Sequence, residues 1–122
     1  LVLTILLVDD DPFALKVLER QLTGPTTTVL CARHAGEALH YLGTRHVDVL
    51  ITDQVMPAMS GDALVREAKH IQPNLTPILI SADVEEARVA MRDERTPVFE
   101  KDFALTELAS LILGPTTSAR AA

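Results

Sequence analysis

Five short apolar runs alternate with segments whose apolar residues recur at helical spacing, and no other feature constrains the fold as tightly. The runs are LVLTILLV (1–8), TTTVLCA (26–32), VDVLIT (47–52), PILIS (77–81) and PVF (97–99). Apolar residues at 14, 15, 18 and 22 predict a first helix over Phe13 to Leu22, with Asp11 as its cap and Pro12 in its first turn. Gly24-Pro25 then breaks the chain before a run rich in β-branched residues. Ala35, Ala38, Leu39 and Leu42 form a second helical stripe that Gly43 is expected to stop. Ser60 is the expected cap of a third helix reaching Ile71; Asp83 and Glu86 have capping-box spacing for a fourth, to about Arg92. A last helix is expected from Phe103 to Leu113. Five strand–helix units imply an α/β fold: a parallel sheet covered on both faces. The near-continuous apolar character of the first, third and fourth runs is what such burial requires.

Composition narrows the function classes. A chain of 122 residues suits one domain with a single sizeable core, expected over 1–113, and the polar, aperiodic GPTTSARAA (114–122) reads as a linker stub or added tail. Its 48% hydrophobic and 23% charged residues place it among soluble globular proteins. No apolar run approaches the roughly 20 residues that cross a bilayer, and residues 1–8 lack the basic flank and cleavage site of a signal peptide. Leu1 in place of a start methionine leads us to expect a processed, trimmed or excised piece. The formal charge of −6 argues against direct contact with nucleic acid. Cys31 is the only cysteine, which excludes an internal disulfide, fits a reducing, cytoplasmic compartment, and suggests a buried strand thiol. His34, His40, His46 and His70 lack metal-ligand spacing and are expected at the surface or in structural roles.

The polar residues that matter stand at the carboxyl ends of the strands, where ligands of open parallel sheets bind. Asp9 and Asp10 close the first run, Asp53 the third, Ser81 the fourth, and Lys101 lies just past the fifth. Each has an ordinary explanation: a cap, a turn, a solvated lysine. Together, at four strand ends, they point to one polar patch. Two carboxylates about 4 Å apart repel by roughly 4 kcal/mol at an effective dielectric near 20, so three together would raise one another's pKa unless a cation neutralised them. Carboxylates, a backbone carbonyl and water are hard oxygen ligands that suit Mg²⁺. A lysine and a hydroxyl opposite the metal suit phosphoryl oxygens, which leaves Asp53 as a nucleophile able to form an acyl phosphate.

This constellation closely resembles the receiver domain of bacterial two-component response regulators, over residues 1 to about 113. DQVMPAMSG matches the family's D-x-x-M-P-x-M-x-G around the phosphoacceptor; LLVDDDP, ILISA and EKDF match its other motifs in order. The resemblance implies a flavodoxin-like (βα)5 three-layer sandwich with strand order 2-1-3-4-5. It implies that Asp53 takes phosphate from the phosphohistidine of a histidine kinase or phosphotransfer protein. Mg²⁺ would be bound by Asp10, Asp53 and the Val55 backbone carbonyl, with Asp9 acting mainly through water. Ser81 and Lys101 would hold phosphoryl oxygens, with Ala82 leaving room. The output expected is a rearranged helix-four, strand-five, helix-five face that binds a partner, a second receiver or an attached effector domain. The implied role is signalling, not enzymatic turnover.

Departures from the family pattern fall on the output side. Val98 stands where the switch aromatic is usual, and Phe99 should point to the opposite side of its strand. Helix four or the loop after Ser81 is therefore expected to move instead. Asp102 replaces the proline after the lysine, so a trans Lys101–Asp102 bond is expected, with Asp102 capping the last helix. MRDERTPVFEK is about two residues short against the family, which predicts a short fourth helix or a tight connection. Val55, two past the acceptor, cannot orient a hydrolytic water, whereas Asp83, two past Ser81, has a group that could; slow self-dephosphorylation is expected. Two other readings compete: a phosphorylation-independent pseudo-receiver, and a haloacid-dehalogenase-type phosphatase suggested by Asp9-x-Asp11. The phosphatase reading is weak, because Phe13 stands where a Thr, Ser or Val is needed and no cap domain fits the length.

Overall fold

The computed structural model describes residues 2–92 and 95–114. The expected linker stub from 115 onward, and residues 93–94 of the charged segment, lie outside the described residues. The elements alternate as β1 (Leu3–Val8), α1 (Pro12–Leu22), β2 (Thr27–Ala32), α2 (Ala35–Thr44), β3 (Val49–Asp53), α3 (Gly61–Ile71), β4 (Thr76–Ser81), α4 (Val84–Ala90), β5 (Val98–Glu100) and α5 (Lys101–Leu113). The strands form one parallel sheet in the order β2-β1-β3-β4-β5. This is the flavodoxin-like order, with the direction of winding reversing beside β1 and β3. Among the described residues no helix is long and apolar enough to cross a membrane.

Successive strand residues face opposite sides of the sheet, which sorts the core into two layers. Leu6, Val8, Leu50 and Leu79 pack with Ala38 and Leu42 of α2 and Leu64, Val65 and Ala68 of α3. Ile5, Leu7, Ile51 and Ile80 pack on the other side with Leu15, Leu18 and Leu22 of α1 and Ala104 and Leu108 of α5. Each large side chain buried this way stabilises the fold by about 1.5–3 kcal/mol. A slip of one residue would exchange the two layers, so the register is firmly set.

Several boundaries differ from the sequence reading, each for a local reason. α2 passes through Gly43 to Thr44 and closes where Arg45 N–H donates to the Tyr41 carbonyl at 2.8 Å. A glycine costs only about 1 kcal/mol in a helix, too little to stop one already held by its buried stripe. Ser60 occupies the cap position of α3 but its hydroxyl donates to Asp62 Oδ1 at 2.5 Å instead of accepting from the helix. α4 is short, with seven residues, and ends at Ala90, before Arg92. α5 starts at Lys101, not Phe103, and Asp102 is not its cap. Glu100 is: its carboxylate accepts from Asp102 N at 3.2 Å and Phe103 N at 3.0 Å. The longer side chain reaches over the first turn, so strand runs into helix with no loop between them. Among the described residues no peptide bond is cis, Lys101–Asp102 included.

Cys31 is half-buried, not fully enclosed, because β2 is an edge strand. Burial and the nearby Glu19 push its thiol up to about 12, so it is inert as a nucleophile at neutral pH. His34 caps α2 by accepting from Glu37 N at 3.2 Å, and His46 pairs with Asp48 at 2.9 Å. Val98 packs into the layer of α3 and α4, whereas Phe99 faces the α1/α5 layer and stacks on Phe103 at 5.8 Å. The two side chains therefore point to opposite faces, as their alternation predicts.

Candidate functional site

The carboxyl ends of β1 and β3 lie side by side, since Val8 pairs with Thr52, and the residues that follow are acidic. Asp9 follows β1 directly and is 1% exposed; Asp53, the last residue of β3, is 6% exposed; Asp10 is exposed. Each offers one oxygen, and all three oxygens lie within 4.8 Å of one another. Lys101, at the first position of α5, reaches back over this cluster. Its Nζ lies 3.0 Å from Asp9 Oδ2 and 3.6 Å from Asp53 Oδ2. It donates its hydrogen bond to Asp9 Oδ1 at 3.3 Å, an oxygen that also accepts from Asp11 N at 2.9 Å. Asp9 Oδ2 is buried with no aligned donor, so its contact with the lysine is one of charge alone.

The electrostatics follow from this crowding. Burial raises the Asp53 carboxyl to about 6, Asp9 and Asp10 add to the rise, and Lys101 only partly opposes it. Burial also holds Asp9 above its ordinary value, against the Asp11 amide and Lys101. Burial alone would lower Lys101, but Asp9 and Asp53 outweigh it and keep the ammonium charged. One cation cannot satisfy three carboxylates. The cluster carries excess negative charge, and Asp9 Oδ2 meets the lysine without an aligned hydrogen bond.

Of the residues singled out from sequence, Asp9, Asp10, Asp53 and Lys101 are brought together. Ser81 ends the neighbouring strand, but its hydroxyl is turned to the start of α4. It donates to the Asp83 carbonyl at 2.9 Å and accepts from Asp83 N at 3.0 Å. Val55 lies in the loop after β3 with its side chain in solvent. An open cleft lined by Asp10, Arg33, His34, Glu37 and Pro57 adjoins the acidic cluster.

Residues missed in the sequence reading hold the loop after β3. Gln54 is 4% exposed and its amide pairs with Asp62 at both ends, Nε2 to Oδ1 and Asp62 N to Oε1, each at 2.9 Å. Gly61 is needed there: a Cβ would sit 2.3 Å from the Asp53 carbonyl and 2.6 Å from Leu79. Only glycine lets the first turn of α3 approach the acidic strand end so closely. The sole sequence signal was an amide and an acid flanking a Pro/Gly-punctuated loop.

With this geometry in hand, comparison with known proteins is decisive. Residues 5–113 match the response regulator receiver domain. The chain belongs to that family. A DNA-binding transcriptional regulator NtrC from Klebsiella pneumoniae is 34% identical over 108 residues, 87% of this chain and 23% of that protein. The transcriptional regulatory protein GlrR of Escherichia coli is 38% identical over 78 residues, 64% of this chain and 18% of its own length. The receiver thus spans less than a quarter of these curated relatives. Its fold is shared by the signal receiver domain of an HD domain-containing protein from Pseudomonas fluorescens, with a TM-score of 0.82 at 26% identity and full coverage of both chains. A CheY-like receiver from Methanospirillum hungatei aligns with a TM-score of 0.81 at 23% identity, covering 98% of each chain.

Proposed function

We propose that this receiver accepts a phosphoryl group on Asp53 from a phosphohistidine of a histidine kinase or phosphotransfer protein, with Mg²⁺ as cofactor. The observation that carries the reading is the Asp9–Asp10–Asp53 cluster under a single lysine, three carboxylates facing one ammonium. Three hard carboxylate oxygens in excess of their counter-charge fit Mg²⁺ and not a softer metal. Asp10, Asp53 and the Val55 carbonyl would hold the ion, with Asp9 acting through water. When bound, the ion neutralises the cluster and screens the incoming phosphoryl oxygens.

The chain's own residues supply the rest. Asp53 uses a carboxylate oxygen to attack phosphorus; the phosphorus–nitrogen bond breaks, and the histidine leaves with that electron pair and takes up a proton. Lys101 exchanges part of its contact with Asp9 and Asp53 for a phosphoryl oxygen, matching charge to charge. The Ser81 hydroxyl leaves the Asp83 backbone to donate to another. Because Ser81 Oγ bonds both Asp83 N and O, that departure loosens the cap of α4. Val98 has no ring to rotate, so α4 and the loop after Ser81 carry the change to the α4–β5–α5 face.

That face would engage an attached effector domain or a second receiver. The names of the relatives, transcriptional regulators several times longer, favour an effector that contacts DNA while this acidic domain itself does not. Residues 1–113 would form the functional unit, in the cytoplasm, with no catalytic turnover of an external substrate. Val55 near the site, with no group to orient water, favours a long-lived phosphoryl group. Incubation with acetyl phosphate and Mg²⁺, read by intact mass, tests the reading. A phosphoryl increment on wild type that vanishes in Asp53→Ala is expected; no increment on either protein would leave a phosphorylation-independent interaction module.

A further inference from the structure

A chain of polar contacts leaves the acidic site on the α3 side and ends on α4. Gln54 follows Asp53 directly. Its N–H donates to the Ile80 carbonyl and its carbonyl accepts from Gly61 N, both at 2.9 Å. Its side chain grips the backbone and carboxylate of Asp62. The loop 54–61, which contains Val55, is therefore closed at its two ends. Asp62 Oδ2 accepts from Arg66 Nη1 at 2.8 Å, and Arg66 Nη2 donates to the carbonyl of Ala90 at 2.6 Å. Ala90 is the last residue of α4.

The other end of α4 is tied as well, through the Ser81 contacts to Asp83, its cap. Between these ties the helix has seven residues and one buried side chain, Ala87. A helix with so little apolar anchoring takes its position from polar contacts at its ends. Residues that orient metal ligands from behind tune metal affinity by about 10–100-fold. Gln54 and Asp62 stand behind the loop that carries the Val55 carbonyl, and Arg66 continues the contact to the last residue of α4.

We infer that Gln54, Asp62 and Arg66 are positioning residues for the phosphoacceptor site: Gln54 and Asp62 set the loop that offers the Val55 carbonyl, and Arg66 couples that loop to the C-terminal end of α4. The inference rests on the phosphoacceptor reading, from which Val55 takes its role. It supplies α4 with a second route to the site in a domain whose Val98 cannot report by ring rotation. A merely structural role would lower stability without moving either the metal dependence or the exchange of α4 alone.

The test uses the full chain as wild type, Gln54→Glu, the double variant Gln54→Glu/Asp62→Asn, and Arg66→Met. The single substitution sets two carboxylates against each other; the double one exchanges amide and carboxylate and restores a donor facing an acceptor. The Mg²⁺ concentration that half-saturates labelling by acetyl phosphate is expected to rise about tenfold in Gln54→Glu and to return to the wild-type range in the double variant. In metal-free protein, Arg66→Met is expected to speed hydrogen exchange in the last turn of α4 about tenfold, with β3 and β4 unchanged. Equal half-saturation in all four proteins, no recovery in the double variant, or unchanged α4 exchange in Arg66→Met would each overturn the inference. Absence of labelling in wild type would instead defeat the phosphoacceptor reading, and the loop half with it; the metal-free exchange decides the α4 half independently. Loss of sheet protection in Gln54→Glu would mark misfolding, and the Arg66→Met arm then decides.

Discussion

Asp53 and Asp62 flank one loop, yet their carboxyls are treated in opposite ways. Asp53 faces Asp9 and Asp10 with only a shared lysine, and burial and like charge lift it to about 6. Burial acts on Asp62 too, but Ser60, Arg66 and Gln54 donate to it and bring it down to about 2. The same residue type is starved of donors in one place and saturated in the other. Starvation costs stability unless a cation arrives, whereas saturation braces the fold. Asp48, at the opposite end of the sheet, belongs with the braces: it accepts from Thr4 N at 2.8 Å and is held low by that amide.

The largest expected effect comes from relieving the starved carboxylate. A raised folded-state pKa means the folded protein binds more protons than the unfolded chain between about 3.8 and about 6, so metal-free stability falls as pH rises through that window. At pH 7.5 without metal, Asp53→Asn should be more stable than wild type by about 2–3 kcal/mol in urea unfolding. Mg²⁺ at a hundredfold excess over its dissociation constant should add about 2.7 kcal/mol to wild type and little to the variant. A variant less stable than wild type without metal would break the contrast.

Asp62→Ala should do the reverse, costing about 2 kcal/mol at pH 7. Here the folded pKa is depressed, so the stabilisation is complete above the unfolded value of 3.8 and is lost as pH falls through about 2. The gap between the two proteins should therefore narrow in unfolding curves recorded from pH 5 down to pH 2. Glu100 is another carboxylate supplied with donors, and Glu100→Ala should cost about 1 kcal/mol as the loss of a helix cap. Amide exchange in the first turn of α5 reports it directly. The smallest effect lies in the loop between the two acids, where Ala58 sits at φ 70°. Ala58→Gly should relieve that left-handed strain for a net gain of about 0.5 kcal/mol in Tm-derived stability, since glycine's added chain entropy offsets part of it.

The fold was legible because its signals are local and repeated. The apolar runs became the strands, and the helical stripes at 14, 15, 18 and 22 became buried faces. Boundaries failed where a side chain made a contact that periodicity does not encode. Glu100 reaching over the first turn displaced Asp102 as cap, and Gly43 yielded to the packing of α2. The acidic cluster was visible because each member ends a strand and parallel strands share their ends. The direction in which Ser81 points was not visible, since a hydroxyl rotates to whichever backbone group lies nearest.

The order of apolar and polar residues by itself determined five parallel strand–helix units, the opposite facing of Val98 and Phe99, and the gathering of Asp9, Asp10, Asp53 and Lys101. Tertiary structure alone decided that Gln54 meets Asp62 and that Arg66 meets Ala90, residues 24 positions apart in the chain. Period and propensity report the face on which a residue lies. Hydrogen bonds between segments depend on where α3 and α4 settle against the sheet, and that position exists only once the core has packed.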